Sequence, residues 1–429
     1  MARTTDFSDI NFNCLLLIFK LLNNLEDQVN FALCGRRFRD AFVYMHRRRF
    51  EEIVDSDIKL KSLDDWRAFL WMCGGNVKTL QCHRDDDHPL QLMPLVAKYC
   101  VRLESITLRN ATVARTQPFL LQLGALRKVY VRNYKSTSKD LIRNMRFRLP
   151  YIQNLGLECF ERRELQELRY FVNLEELQMY DEVTTSDFIA ITKSLRNLRI
   201  LQLRNAKRFL TTQTLRHLAA HCGRLEKLSF LDSDAELTAL TLFTYLRYLQ
   251  LYCPDNQKTR LFKTLSKKCA PHLEYLILHR KQWIDEEQAQ YIGSIKSLKW
   301  LVCKPRNDRC VYHLGNLTQL ECLSVQCARD IGETELLHLV RNNDQLRYLN
   351  ICYCLGITDA FVVDMLDILV KRHNHQPLEL YAAATDIRHD IMEKLPTDYA
   401  SKLLILHFEC SQGIRSSEHY YNDEPEFDR

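Results

Sequence analysis

The stretch Leu198-Arg-Ile-Leu201-Gln-Leu203 carries leucine at its first, fourth and sixth positions. Leu346-Arg-Tyr-Leu349-Asn-Ile351 repeats this arrangement, with isoleucine in the last place. An apolar residue that alternates with other residues is typical of a strand that buries one face. Both stretches therefore predict a short β-strand whose apolar side chains enter a core.

The same apolar pattern recurs along most of the chain. Successive regular copies begin 21 to 27 residues apart, within the roughly 20 to 29 residues that characterise leucine-rich repeats. Two degenerate copies, which begin at His375 and Leu403, follow the last regular one. The regular copies begin at Val77, Leu103, Leu126, Ile152, Leu174, Leu198, Leu225, Leu246, Leu273, Leu298, Leu320 and Leu346.

Between the strands the apolar residues adopt helical spacing. Leu215, Leu218 and Ala219 follow the strand that ends at Leu203, so each unit reads as a strand, a turn and a helix. One such unit cannot bury its leucines alone and must stack on its neighbours. The sequence predicts an α/β fold, a leucine-rich-repeat solenoid of about 12–14 units over residues 77–408. We expect a horseshoe with parallel strands on its concave face and helices outside.

The later units resemble the cysteine-containing subclass of leucine-rich repeats. In that subclass a cysteine follows the strand, and an Ile-Thr-Asp turn opens the helix. Cys354 with Ile357-Thr358-Asp359 fits the subclass, and Cys327 with Ile331-Gly332 fits it less closely. The repeats at Leu126 and Ile152 lack the full signature, so this subclass pattern does not define their helices and loops.

Residues 7–50 carry no repeat, and apolar spacing predicts three short helices there. The first helix contains Leu15-Leu16-Leu17-Ile18-Phe19 followed by Leu21-Leu22, and is apolar around its whole circumference. Such a helix must be buried on every side, and a segment of about 40 residues cannot supply that core by itself. The surplus at Leu16, Leu17 and Leu21 therefore requires a partner, either another chain or the repeat array.

Residues 7–45 resemble an F-box. The resemblance rests on Cys14-Leu15-Leu16 before Ile18-Phe19, then Leu22, the Leu25-x-Asp27 step, Val29, Leu33-Cys34 and Arg36-Arg37-Phe38-Arg39, while Ile10-Asn11 replaces the family's usual Leu-Pro. It implies a three-helix F-box that binds a Skp-type adaptor and, through it, the cullin and RING subunits of a ubiquitin ligase. The residues expected to bind the adaptor are Ile10, Leu15, Leu16, Ile18, Phe19, Leu22, Leu25, Val29, Leu33, Cys34 and Phe38.

Two segments flank the repeats. Residues 51–76 hold Trp66, Phe69, Leu70 and Met72 at helical spacing, which predicts a connecting helix that caps the first repeat. Residues 409–429 are rich in acidic side chains and poor in aliphatic ones, a composition that predicts a disordered tail.

Residues beside the strand leucines face the concave surface of such an array. In the C-terminal half many of them are aromatic, and binding hot spots favour tryptophan, tyrosine and arginine. Tyrosine also suits strands for structural reasons alone, so this alternative stays open. The residues expected to contact a protein target are Arg204, Tyr248, Tyr252, Tyr275, His279, Trp300, Lys304 and Tyr348.

Composition argues against several other classes of protein. A net charge of +6, from 60 basic and 54 acidic residues, is a small excess for a nucleic-acid-binding domain. No uncharged apolar run is long enough to predict a membrane span. Sixteen scattered cysteines without a secretory signal predict reduced thiols in the cytoplasm or nucleus. Neither a glycine-rich phosphate loop nor a catalytic Cys/His arrangement occurs, and we predict no cofactor, metal or catalytic residue.

These features predict a non-catalytic substrate-recognition subunit of an SCF-type cullin-RING ubiquitin ligase, which bridges the Skp adaptor to an unknown protein target. The alternative is a leucine-rich-repeat scaffold or inhibitor whose helical motif packs on its own array and which acts without ubiquitin. Exposure of Leu16 and Phe19 to solvent in the isolated chain would favour the first hypothesis.

Overall fold

The computed structural model describes residues 10–82, 88–109, 113–132, 140–158, 162–180, 182–231, 233, 235–269, 271–279, 282–372, 376–395 and 400–409. The predicted acidic tail lies outside these residues except for Glu409. The chain forms two compact units, one of residues 1–209 with 220–224 and the other of residues 210–219 with 225–429.

In the first unit each strand pairs in parallel with the next strand along the chain. The residues at the strand centres lie opposite one another, as Leu80, Ile106 and Val129 do. The strands are β1 (Glu52–Val54), β2 (Thr79–Cys82), β3 (Ser105–Arg109), β4 (Lys128–Arg132), β5 (Asn154–Leu157), β6 (Glu176–Met179) and β7 (Ile200–Leu203).

In the second unit the strands from β8 to β17 also pair in parallel in the order of the chain. Two short strands, β11 and β13, leave this ladder and pair with each other. The strands are β8 (Lys227–Phe230), β9 (Tyr248–Leu251), β10 (Tyr275–Leu278), β11 (Trp283–Ile284), β12 (Trp300–Val302), β13 (Lys304–Pro305), β14 (Cys322–Ser324), β15 (Tyr348–Asn350), β16 (Leu378–Tyr381) and β17 (Leu404–His407).

Helices connect most successive strands, and capping side chains fix where several of them begin. The Thr358 hydroxyl accepts the N–H of Ala360 at the start of α15, and Asp285 and Gln288 form a capping box on α12. The helices are α1 (Phe12–Leu21), α2 (Leu25–Leu33), α3 (Arg36–His46), α4 (Leu63–Cys73), α5 (His88–Tyr99), α6 (Val113–Leu120), α7 (Leu141–Arg148), α8 (Arg162–Leu165), α9 (Thr185–Thr192), α10 (Thr212–His221), α11 (Asp255–Lys268), α12 (Glu286–Gly293), α13 (Asp308–Leu314), α14 (Glu333–Asn342), α15 (Asp359–Lys371), α16 (Ile391–Lys394) and α17 (Ala400–Leu403), with 3-10 helices at Gly74–Asn76, Gln166–Tyr170 and Leu237–Leu242.

The core is built from the apolar positions that define the repeat. Leu201, Leu249 and Leu349, at the centres of β7, β9 and β15, are fully buried. Leu215 and Leu218 of α10 and Leu366 of α15 are buried as well, because helical spacing turns them to the side of the strands. Parallel strands that alternate with helices fit the α/β leucine-rich-repeat-like solenoid that the sequence predicts.

On the strands of the main sheet from β1 to β15, the residue two places before the central residue is charged, with one neutral exception. Its main-chain carbonyl links neighbouring repeats. The carbonyl of Glu51 accepts the N–H groups of Lys78 and Thr79 at 2.8 and 3.0 Å, and that of Glu274 accepts those of Lys299 and Trp300 at the same distances. The residues at this position are Glu51, Lys78, Glu104, Arg127, Gln153, Glu175 and Arg199 in the first unit, and Glu226, Arg247, Glu274, Lys299, Glu321 and Arg347 in the second.

We call these residues the charge ladder. Within each of the two compact units they place opposite charges on neighbouring strands, with Gln153 as the neutral exception. Lys78 Nζ lies 2.8 Å from Glu51 Oε2, and Lys299 Nζ lies 3.3 Å from Glu274 Oε2. Such exposed pairs each stabilise the fold by at most about 1 kcal/mol. Like charges directly opposite would destabilise it, so the alternation favours one register of stacking.

The strand β1 lies inside residues 51–76, where the sequence predicted only a connecting helix. Ile53 pairs with Leu80. The ladder of strands therefore begins at β1, one repeat before the repeat that starts at Val77. The pattern was hidden because Asp55 occupies the third apolar place, where it is fully buried and its N–H donates to the carbonyl of Gln81 at 2.9 Å. The predicted helix is present as α4, which buries Trp66 and Phe69.

Two details of the predicted register in the last units are wrong. Leu349 lies opposite Leu380, so the unit predicted to begin at His375, a residue outside the described ones, begins two residues later. Leu378 is also buried, and for this reason the sequence pattern placed it, instead of Leu380, at the centre of the strand. Ser324 lies opposite Asn350, which places Ala328 in the position of Cys354. Cys327 instead has a left-handed φ of 60°, so it is not the cysteine of the subclass pattern.

The described cysteines form no disulfide with one another. Burial raises the pKa of the Cys73, Cys222 and Cys354 thiols to about 12, so these thiols stay protonated at neutral pH. Among the helices of the described residues, none is both long and apolar enough to cross a membrane.

We expect Leu249→Ala to lower the free energy of unfolding by about 2–5 kcal/mol, because it leaves a cavity at a fully buried position. The measurement is urea unfolding of the full chain followed by circular dichroism. Leu242→Ala is the matched control, because Leu242 is 48% exposed in the same unit, and we expect it to change stability by about 0.5 kcal/mol or less. Equal losses in the two variants would contradict the assigned core.

Candidate protein-binding surfaces

The N-terminal motif, defined as α1, α2 and α3, has an aromatic interior. The ring of Phe19 lies 5.1 Å from that of Phe31 and 5.7 Å from that of Phe42, and the Phe31 ring lies 4.9 Å from that of Phe38. Phe19 and Phe42 are fully buried. The apolar spacing predicted by the sequence therefore folds the three helices around a small core of their own.

A buried polar network fixes the three helices relative to one another. The side-chain amide of Gln28 on α2 donates to the carbonyls of Phe19, at 3.1 Å, and of Leu22, at the end of α1. Its oxygen lies 2.9 Å from Nε2 of His46 on α3, so the imidazole donates to it. Burial and the nearby Arg49 charge lower the pKa of His46 to about 4. A neutral imidazole is thus part of the motif's interior.

Several apolar side chains of the motif remain on its surface. Leu17 and Leu21 are 59% and 78% exposed, and together with the exposed Cys14 they form one stripe of α1, spaced at i, i+3 and i+7. Leu33 and Cys34, at the end of α2, are exposed too. The surplus predicted for α1 is therefore observed at Leu17 and Leu21, and we call Cys14, Leu17 and Leu21 the α1 stripe.

The structure divides the residues predicted to bind an adaptor into two groups. Leu15, Phe19, Val29 and Phe38 are buried inside the motif, so their role in any interface would be to hold the helices together. The members with accessible side chains are Ile10, Leu16, Ile18, Leu22, Leu25, Leu33 and Cys34. Sequence reasoning named Leu17 and Leu21 as surplus but left them out of the predicted contacts, because periodicity does not say which side of an all-apolar helix stays open.

The motif also packs on the first helix of the repeat array. The ring of Phe50, just after α3, lies 4.8 Å from that of Phe69 on α4. The guanidinium of Arg39 lies 4.8 Å from the ring centroid of Trp71, and Lys61 Nζ lies 3.4 Å from Glu26 Oε2. These contacts cover one side of the motif and leave the α1 stripe free of them.

A row of aromatic rings lies on the face of the second unit's sheet opposite the buried leucines. Tyr248 lies opposite Tyr275, and Tyr275 opposite Trp300, with ring centroids 5.8 and 6.1 Å apart. Cys322 occupies the next strand, and the ring of Tyr348 beyond it lies 6.3 Å from that of Trp300. Trp300 and Tyr348 thus close over the fully buried Cys322. We call the four rings the aromatic row.

The two ends of the aromatic row differ in charge. At one end Lys227 Nζ lies 4.4 Å from the ring centroid of Tyr248. At the other end, burial and the Glu379 carboxylate raise the pKa of Tyr348. Glu379 also accepts the Tyr381 hydroxyl at 2.9 Å and lies 3.4 Å from Nε2 of His407. A ligand along the row would therefore meet a basic end and an acidic end.

The other predicted target residues lie beside the row or in the first unit. The rings of Tyr252 and His279 meet edge to face at 5.9 Å, and Lys304 Nζ lies 3.9 Å from the ring centroid of Trp283. Arg204 belongs to the first unit, where it lies 3.7 Å from Glu158. Sequence reasoning missed Lys227 and Trp283, which contact these residues, because Lys227 stands one repeat before the aromatic positions and Trp283 lies beyond the strand.

The described residues offer no group of three or more His, Cys, Asp or Glu side chains that could hold a metal ion. His373 and His375, which stand near Cys352 and Cys354 in the sequence, lie outside the described residues.

The chain is similar in fold to proteins of known structure. No family model and no curated protein matches its sequence. It superimposes on a chain of the crystal structure of the Rad7 and Elc1 complex from yeast with a TM-score of 0.51, at 14% sequence identity and over 92% of each chain. This likeness supports a leucine-rich-repeat-like solenoid for nearly the whole chain. The F-box assignment of residues 7–50 stays a prediction.

We expect the protection of α1–α3 from hydrogen exchange to weaken as the pH falls from 6.5 to 4. His46 stays neutral in the fold down to its pKa of about 4, whereas the unfolded chain binds a proton below 6.5. Protonation thus favours the open state by up to about 3 kcal/mol over this interval, and not above it. Mass spectrometry of exchanged peptides measures the effect. His46→Phe keeps a ring at this place, and it should remove most of the pH dependence; an unchanged dependence would contradict the assignment.

Proposed function

We propose that this protein is the substrate-recognition subunit of an SCF-type cullin-RING ubiquitin ligase. The observation that carries the proposal is the exposed α1 stripe on a three-helix motif joined to a leucine-rich-repeat-like array. Contiguous apolar side chains on a surface mark a site of protein association. The motif's sequence resembles an F-box, whose partner is a Skp-type adaptor, and the adaptor would link the chain to the cullin and RING subunits.

The helical motif would contact the adaptor through its accessible side chains. Leu17 and Leu21 supply apolar area on α1, and Leu33 with Cys34 supplies it on α2. Full burial of a leucine stabilises an interface by about 1.5–3 kcal/mol. The yeast structure of similar fold is itself a complex of two proteins, Rad7 and Elc1, so Elc1 is a second binding partner to test.

The aromatic row would recognise the target. Four large rings side by side offer the rigid apolar contacts that dominate binding energy at hot spots. In this mechanism the chain performs no chemistry: it holds a target near the subunits that deliver ubiquitin, and proximity determines which lysines are modified. Such a subunit would act in the cytoplasm, the nucleus or both.

The alternative is a scaffold or inhibitor that acts without an adaptor. One observation favours it: the motif packs on α4, and Phe19 is fully buried while Leu16 is half-buried. The criterion of an exposed Phe19 is therefore not met. Because Leu17 and Leu21 are exposed instead, a binding experiment on these two side chains separates the two functions.

We expect the double variant Leu17→Glu/Leu21→Glu to lose adaptor binding by about a hundredfold or more, since two apolar contacts of about 1.5–3 kcal/mol each are replaced by charges. Purified Skp-type adaptor and Elc1 are titrated separately by isothermal calorimetry against the full chain. Leu355→Glu is the matched control, because Leu355 is exposed in the second unit. Deletion of residues 1–50 should abolish binding. Full binding by the double variant would contradict the role of the α1 stripe, and failure of the unaltered chain to bind either protein would favour the scaffold function.

We expect Trp300→Ala and Tyr275→Ala each to weaken target capture by about thirtyfold, the effect of removing a hot-spot side chain worth about 2 kcal/mol. Affinity purification with quantitative mass spectrometry, with and without proteasome inhibition, measures this effect on proteins that accumulate under inhibition. Tyr245→Ala is the control, since Tyr245 is exposed away from the row. Capture that is the same in all four proteins would contradict the proposed role of the row.

A further inference from the structure

A cleft in the first unit combines an apolar wall with an arginine at its mouth. It lies where the end of α7 meets the 3-10 helix Gln166–Tyr170, and its volume is about 220 Å³. Leu149, Pro150 and Val172 are among the apolar residues that line it, and Arg146 and Asn173 contribute polar groups. A cleft of this size holds an inserted side chain, and we call it the Arg146 cleft.

The guanidinium of Arg146 is held in place by its neighbours. Its carbon lies 3.6 Å from the ring centroid of Tyr170 and 5.0 Å from that of Phe147. Nη1 lies 3.4 Å from Glu167 Oε2. Arg169 also approaches the Tyr170 ring, at 4.8 Å, so two cations flank one ring. A guanidinium that is already oriented binds an anion with less loss of side-chain entropy.

Positive charge is in excess around the cleft. Arg143 lies one turn before Arg146 on α7, and neither Arg143 nor Arg169 forms an ion pair with any residue that the structure describes. Glu167 is the carboxylate that pairs with Arg146, while the nearby Glu164 is buried and accepts the N–H of Leu141. One arginine is thus paired with a carboxylate while two neighbouring arginines are not, and this local excess of positive charge favours a ligand with negative charge.

Large apolar side chains surround the same place. Phe147 and Tyr151 are each 65% exposed, and Val172 is 53% exposed. A contiguous apolar surface on a soluble protein marks an interaction site. Exposed aromatic rings among arginines also occur where single-stranded nucleic acid binds. Of the two rings that line the cleft, Phe171 is buried, and the ring of Tyr170 lies against the guanidinium groups of Arg146 and Arg169. Neither ring leaves a free face on which a base could stack, so the cleft favours a peptide.

We propose that the Arg146 cleft binds an acidic peptide segment of a partner protein, with an apolar side chain of the peptide in the cleft and an adjacent carboxylate on Arg146 and Arg169. This site is separate from the α1 stripe and from the aromatic row, and it would exist whether or not the chain works with ubiquitin. A bidentate pair between a guanidinium and a carboxylate gives the contact its geometry.

The test starts from a phage-displayed library of random dodecapeptides selected on the full chain. We expect enriched peptides to carry Asp or Glu next to an aromatic or aliphatic residue. The best peptide, labelled with fluorescein, is then measured by anisotropy. Its affinity should fall at least tenfold in Arg146→Gln/Arg169→Gln and in Val172→Asp, and it should also fall in 0.5 M salt. Arg329→Gln, which changes an exposed arginine of the second unit, should leave the affinity unchanged.

Three results would overturn the proposal. Enriched peptides without acidic residues would remove the role of the arginines. Equal affinity for wild type and Val172→Asp would place the peptide elsewhere. Because Val172 is exposed, this variant is expected to fold normally. Thermal melting checks the folding of Val172→Asp and of Arg146→Gln/Arg169→Gln. A single-stranded RNA dodecamer that binds more tightly than the best peptide and depends on Arg146 would assign the cleft to nucleic acid.

Discussion

Each strand of the main sheet carries a central apolar residue that its own repeat cannot bury. Leu249 becomes inaccessible only because β8 and β10 lie on either side of β9 and a helix covers the leucines from one face. The main chain enforces the same dependence, because most carbonyls of the charge ladder accept two N–H groups from the following repeat, as that of Glu274 does from Lys299 and Trp300. Each repeat is therefore stabilised by its neighbours, as in other repeat proteins. The loss of one central leucine affects the repeats on both sides.

The same constraint leaves one face of the sheet available for recognition. Helices and leucines fill one side, so the residues between the leucines face away from that core. In the second unit several of these positions hold large rings, and Tyr275 and Trp300 are half-buried on this open face. Just before the strands of the main sheet, alternating charges such as Arg247 and Glu274 favour one register without building a large net charge.

The N-terminal motif follows a different rule. It is too small to bury all of its apolar residues, and its interior combines the Phe19 cluster with the polar link between Gln28 and His46. A buried network of this kind stabilises one arrangement of helices because an unpaired amide would be costly. What remains outside is the α1 stripe. The motif thus reaches a fixed shape while keeping apolar surface for a partner.

The sequence by itself determined the repeat, the position of almost every strand and the three N-terminal helices, because leucine spacing reports directly which residues must be buried. It predicted the aromatic row as well, since residues two apart on a strand share a face. Tertiary structure decided what spacing cannot: that Phe19 turns inward while Leu17 and Leu21 stay exposed, that Asp55 occupies an apolar place in β1, and that Leu380 is the centre of β16. It also brought Arg146, Tyr170 and Val172 together across two repeats. These outcomes depend on which neighbour covers a side chain, and the order of residues along the chain does not contain that information.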